Sequence, residues 1–103
     1  MSKMFKGVIA FAAGTALALG GALAAHATTE YPPEGGTWEY GVLEYSSTPF
    51  VHSDYLHNSA KHRSSVKVSA GTIYRSSDKA AGYWSTIEKA TGYSGNHAYY
   101  YKY

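Results

Sequence analysis

From Ser77 to Gly92 the chain reads SDKAAGYWSTIEKATG, and the fold class turns on how this segment is read. Ala80, Tyr83, Trp84, Ile87 and Ala90 or Thr91 recur at helical spacing. Ser77 or Asp78 is placed to cap the start and Gly92 to end it. Against this, Gly82 in mid-segment costs a helix about 1 kcal/mol. The same residues also divide into two strand faces, Tyr83-Ser85-Ile87 against Gly82-Trp84-Thr86. Local periodicity slightly favours the helix and leaves the strand open.

The flanking segments read as β structure. Upstream, Ser64 to Ser69 alternates cleanly, with Val66 and Val68 on one side and Ser65, Lys67 and Ser69 on the other. Ala70-Gly71 turns the chain into a short partner, Thr72 to Arg75, which makes a hairpin. Downstream, Ala98 to Tyr103 alternates Tyr99, Tyr101 and Tyr103 against Ala98, Tyr100 and Lys102, a C-terminal strand with both faces suited to being covered. Thr37 to Tyr45 is rich in aromatic and β-favouring residues. Its apolar parity shifts after Gly41, which makes Gly41 a candidate bulge. Ser46-Ser47-Thr48-Pro49 reads as a turn, and the polar, His-rich segment from Phe50 to Arg63 as an ordered loop or irregular edge. Short strands at roughly ten-residue spacing suggest an all-β sandwich or small barrel.

The first 27 residues read as a removable secretory signal. Lys3 and Lys6 form a positive start, Gly7 to Leu23 an apolar stretch broken only by Thr15, and Ala25-His26-Ala27 a cleavage site before Thr28. A cut after Ala24 is the close alternative. The stretch falls short of the roughly 20 apolar residues that span a bilayer. Residues 28–35, with Pro32-Pro33 and Gly35, read as a flexible arm, and 36–103 as the folded domain. The expected location is therefore extracellular.

Of 103 residues, nine are Lys or Arg and seven are Asp or Glu. Lys3 and Lys6 supply the whole excess, so the exported part is neutral, which argues against nucleic acid as a partner. All eleven Tyr and both Trp lie beyond the leader, and there is no Cys. A chain so small buries only about 60% of its unfolded surface. Without disulfides its stability must come from aromatic packing and a regular hydrogen-bond ladder.

Few residues suggest bond-making chemistry. His52, His57 and His62 recur every fifth residue, a spacing that suits neither a helix face nor a strand face, so a structural role is expected and a metal site is not. No serine sits in Gly-x-Ser-x-Gly, no phosphate-cradling loop is present, and neither Glu39 with Glu44 nor Asp54 with Glu88 stands out as an acid pair. No catalytic residue and no cofactor is assigned. Lys61-His62-Arg63 with Lys67 beyond is the one local basic feature, able to meet a phosphate or pyrophosphate through charge-assisted bonds.

Taken in order, five motifs resemble the lactococcin 972 family of secreted bacteriocins. They are Gly35-Gly36-Thr37-Trp38-Glu39-Tyr40-Gly41, His52-Ser53-Asp54-Tyr55-Leu56-His57, His62-Arg63-Ser64-Ser65-Val66, Ala81-Gly82-Tyr83-Trp84-Ser85 and the Tyr99-Tyr100-Tyr101 ending. The likeness covers about Gly35 to Tyr103. It implies a two-sheet antiparallel β-sandwich of about six short strands and turns the Ala80 to Ala90 segment toward strand. It also implies an antibacterial protein that binds the cell-wall precursor lipid II and blocks septum formation in related Gram-positive bacteria without forming pores. His52 stands where the family has Tyr, Ser85 where it has Ala, and Tyr103 where a Trp is typical.

On that reading Lys61, Arg63 and Lys67 would contact the pyrophosphate, and Trp38, Tyr55 and Trp84 would supply rings for sugars or a lipid interface. The expected partner is lipid II or another cell-envelope component, with a dedicated immunity or export transporter as a further one. Stable insertion of the exported domain in a membrane is not expected. The alternative is a secreted carbohydrate-binding module without killing activity.

Overall fold

The computed structural model describes residues 7–11 and 25–103. Apart from 7–11 and 25–27, the segment read as a leader lies outside the described residues.

The chain is all-β, with two antiparallel sheets and no helix among the described residues. In chain order the strands are β1 (Gly7–Phe11), β2 (Ala25–Glu30), β3 (Thr37–Tyr45), β4 (Thr48–Leu56), β5 (His62–Lys67), β6 (Ile73–Arg75), β7 (Trp84–Ala90) and β8 (Asn96–Lys102). One sheet runs β1-β8-β5-β6, the other β2-β3-β4-β7.

The ambiguous Trp84–Ala90 segment is a strand, which corrects the local helical count. Its helical apolar stripe has no core to meet, since Tyr83 and Trp84 stay exposed. Its strand parity instead turns Ser85 inward, where the hydroxyl donates to the Tyr55 carbonyl (3.0 Å) and the Ser85 carbonyl accepts from Ser64 Oγ (3.0 Å). Tertiary pairing outweighs a weak local preference here.

Three further expectations change. Thr48–Leu56, within the segment read as turn and loop, is a central strand paired on both sides. Its inward positions include Ser53 as well as Val51 and Tyr55, so burial does not follow polarity. Gly41 makes no bulge: β3 and β4 pair one to one along their length, and the parity shift only places Leu43 and Tyr45 on the outer face. Ser46 and Ser47, both with positive φ (49° and 66°), form the two-residue hairpin turn, the geometry that suits the twist of the joined strands.

Thr28–Glu30, expected in a flexible arm, pair with Trp38–Tyr40. Beyond them the arm reaches onto the tyrosines of the core. Tyr40 Oη donates to the Glu30 carboxylate, Tyr100 Oη to Glu34 Oε1 (2.6 Å), and Tyr55 Oη to the Gly35 carbonyl (2.6 Å).

Between the sheets the core has two parts. Val42, Val51, Val66 and Val68 form an aliphatic cluster with Ile87 against it. Trp38, Tyr40, Tyr55, Ala98 and Tyr100 form an aromatic one. The Trp38 ring lies 4.2 Å from Tyr40 and 4.8 Å from Tyr100, and Tyr55 lies 4.8 Å from Tyr100. Hydroxyls stitch the sheets where a larger protein would have more hydrocarbon. Trp38 Nε1 donates to Ser53 Oγ (2.9 Å), which donates across to the Tyr99 carbonyl (2.8 Å).

The phenols of Tyr40 and Tyr55 are pushed up to about 12, first by burial, then by the Glu30 bond for Tyr40 and the Glu34 charge for Tyr55. Tyr100 is pushed further in the same direction, again mainly by burial, then by Glu34. These groups hold their protons more tightly folded than unfolded. Their stabilisation is complete below the ordinary tyrosine value of about 10 and is lost as pH rises through about 12. Tyrosinate absorbance during an alkaline titration should therefore show a late-ionising subset whose ionisation coincides with loss of the near-ultraviolet circular dichroism.

Candidate functional site

The β5–β8 pair places the basic residues. On β5 the alternation turns His62, Ser64 and Val66 inward, and Arg63, Ser65 and Lys67 outward. On β8, Ala98 and Tyr100 enter the core and His97, Tyr99 and Tyr101 face out. The register sets Arg63 opposite Tyr101, Ser65 opposite Tyr99 and Lys67 opposite His97, with Arg75 of β6 opposite Ser65. One outer face thus combines cations with rings.

The sharpest cluster lies at the C-terminal end of this face. The Lys61 ammonium lies 4.8 Å from the Tyr103 ring centroid. The Arg63 guanidinium lies 5.6 Å from Tyr101 and 5.8 Å from Tyr103. Asp78 reaches both cations, at 3.7 Å from Lys61 Nζ and 3.8 Å from Arg63 Nη1, and accepts from Tyr103 Oη at 2.9 Å and 3.0 Å. One carboxylate faces two cations, so the cluster keeps a positive charge. Arg63 Nε is buried without a hydrogen-bond partner among the described residues. The Tyr103 phenol is raised, first by desolvation and then by its bond to Asp78, and so remains a donor. A cluster of this kind can grip a dianion, with the Arg63 fork aligned by the rings beside it.

Among the residues singled out from sequence, Lys61 and Arg63 come together at the surface, and Trp38 and Tyr55 come together in the core. Lys67 lies on the same face, but four residues along β5 place it roughly 13 Å from Arg63, too far to share one phosphate. Trp38 and Tyr55 are in the core, 1% and 0% exposed, and out of reach of any surface ligand. Trp84 is exposed but belongs to the other sheet, opposite Leu56 of β4. Sequence reasoning missed Tyr101, Tyr103 and Asp78 as partners of the cations. The tyrosine alternation was visible, but the β5–β8 register that aligns it with Arg63 was not.

The evenly spaced histidines part company. His57 Nε2 donates to the Glu34 carbonyl (2.9 Å), and its Nδ1 accepts from the Ser59 amide (3.2 Å). His62 is fully buried, with Nδ1 2.8 Å from the Ala60 carbonyl and Nε2 2.6 Å from the Tyr83 carbonyl. Both rings are committed to holding backbone. His52 lies on the outer face of β4, away from them.

A family model described as Bacteriocin (Lactococcin_972) matches residues 34–100. No curated protein and no solved structure matches the chain significantly.

Proposed function

The chain belongs to the Lactococcin_972 family of bacteriocins, and from that membership we propose that it is a secreted antibacterial protein that recognises lipid II by its pyrophosphate. The observation that carries this reading is the Lys61–Arg63 pair, set over Tyr101 and Tyr103 and held by the single carboxylate of Asp78. Two phosphoryl groups offer more negative charge than Asp78 does. They would draw the guanidinium and ammonium away from it, while the rings present flat apolar area to the adjoining sugar or the lipid interface. Lys67 would extend the positive field along the face without touching the same phosphate. Growth of sensitive cells would stop because the precursor is held, by recognition and without catalysis.

The test is a titration of the exported protein with lipid II, read alongside growth inhibition. The Lys61→Ala, Arg63→Ala double variant should bind at least about tenfold more weakly, the loss expected when one or two charge-assisted hydrogen bonds go. Added lipid II should protect indicator cells from the parent protein, and liposomes should retain a trapped dye. Full precursor binding by the double variant would remove this site from the mechanism.

A further inference from the structure

Charge is sorted between the two outer faces of the sandwich. On the β5–β8 side Lys61, Arg63 and Lys67 share the outward parity, and the register sets Arg75 of β6 on the same face, opposite Ser65. Asp78 is the carboxylate that answers them, through Lys61 and Arg63. On the other side, the outward positions of β3, β4 and β7 carry Glu39, Asp54 and Glu88, and no Lys or Arg among the described residues. Lys89 of β7 has the inward parity, opposite Val51, and its ammonium lies 4.8 Å from the Tyr74 ring centroid, toward the other sheet. A domain whose exported part carries no net charge is therefore positive on one broad face and negative on the opposite one.

The basic face is a plane and not a pocket. Lys61 and Lys67 are six residues apart, roughly 20 Å along the strand, and Arg75 lies on the neighbouring strand. Cations spread this way do not converge on one small anion, but they match a surface of many. Rings stand among them. Tyr103 is 49% exposed beneath Lys61 and Arg63, and Tyr101 lies beside Arg63. Tyrosine rings and long cationic side chains are the groups that settle at the headgroup level of a bilayer. The acidic face does not oppose such contact. Two packed sheets are about 10 Å apart, with side chains beyond each, so the carboxylates stand farther from the surface than the screening length of about 10 Å at 0.1 M salt. At longer range the separated charges turn the basic face toward a negative surface.

We propose that the outer face of β5, β6 and β8 docks on the surface of an anionic phospholipid bilayer, without insertion and without lipid II. The cations lie over the headgroup phosphates, and Tyr101 and Tyr103 enter the headgroup layer. This goes beyond the pyrophosphate reading, since it gives Lys67 and Arg75 a partner of their own. Docking of this kind confines the protein to the plane in which a membrane-borne target moves.

The experiment measures binding of the exported protein to two vesicles free of lipid II, one of phosphatidylcholine alone and one of phosphatidylcholine mixed with phosphatidylglycerol. Because neither holds lipid II, a failure of the pyrophosphate reading leaves this result standing. The mixed vesicle should bind about a hundredfold more tightly, and added salt should weaken that binding. A spin-labelled lipid in mixed bicelles should broaden the amide signals of Arg63, Lys67 and Arg75 and spare those of Glu39, Asp54 and Glu88. The Lys67→Gln, Arg75→Gln variant should bind the mixed vesicle about thirtyfold more weakly. Glu39→Gln with Glu88→Gln raises the net charge by two, yet should leave affinity within about twofold, because those groups face away. Thermal midpoints confirm that each variant is folded. Equal binding to the two vesicles, broadening shared evenly by both faces, or undiminished binding by the folded Lys67→Gln, Arg75→Gln protein would overturn the proposal. So would displacement from the mixed vesicle by inorganic phosphate at the concentration of the lipid phosphate, which would assign the face to single phosphates.

Discussion

Replacing Trp38 by alanine should remove a large share of the domain's stability. Trp38 is 1% exposed and packs between Tyr40 and Tyr100 at the centre of the aromatic cluster. Truncating a buried tryptophan costs about 3–5 kcal/mol through lost transfer energy and the cavity left behind. The lost Nε1 donor adds to this, since Ser53 Oγ accepts from it while bridging to the Tyr99 carbonyl on the other sheet. A domain of this size has only about 4–11 kcal/mol to lose, at about 0.05–0.15 kcal/mol per residue, and no disulfide to hold the remnant together. Urea titration followed by tyrosine fluorescence measures the change. Trp38→Phe should keep most of the packing and cost about half as much. A loss below about 1.5 kcal/mol for the alanine variant would show that the aromatic cluster is not the centre of stability.

The Gly36→Ala substitution should be nearly as damaging, for a different reason. Gly36 has φ near +94°, and a Cβ there would lie 2.3 Å from the Leu56 carbonyl oxygen and 3.0 Å from the Tyr55 ring. Backbone must move, because a carbonyl in the strand next to it cannot swing aside. Moving this segment would disturb the Tyr55 bond to Gly35, the Tyr100 bond to Glu34 and the His57 bond to the Glu34 carbonyl. The expected loss is about 3 kcal/mol or more, from conformational strain and overpacking combined. Gly71 is the internal control. Its φ is near +100°, but nothing lies within 4 Å of the position a Cβ would take. Gly71→Ala should therefore cost only the conformational part, about 1 kcal/mol. If the two substitutions proved equally mild by thermal melting, the close approach at Gly36 would carry no energy.

Both variants bear on function through one layer. The 30–36 segment caps the core tyrosines, and Tyr100 and Tyr101 are neighbours on β8 that face opposite ways. A loosened Tyr100 would disturb the strand that sets Tyr101 beside Arg63. Losses of activity in core variants are thus expected without any direct contact to a ligand.

How far the fold could be read in advance varied by segment. The Val66 and Val68 alternation and the hairpin to Ile73–Arg75 were legible because strand period and a Gly turn are local signals. The Trp84–Ala90 strand was not legible from its own residues, and only its likeness to the family's motif order turned the reading toward strand. β4 was missed because its middle, His52-Ser53-Asp54, is polar on both faces. Each polar group finds its place only against a partner distant in sequence, as Ser53 does against Tyr99.

By itself the amino-acid sequence determined the class of protein: a small, cysteine-free, tyrosine-rich β domain behind a leader-like segment, with a basic run at Lys61 to Lys67. Composition and short-range alternation carry that much, because they depend only on neighbours along the chain. The tertiary structure alone decided which residues meet. It sent Trp38 and Tyr55 into the core, separated Lys67 from Arg63 and brought Asp78 and Tyr103 to Lys61. The reason is register. A shift of one residue in the pairing of β5 with β8 would reverse the outward faces, and local sequence does not specify the pairing of strands thirty residues apart.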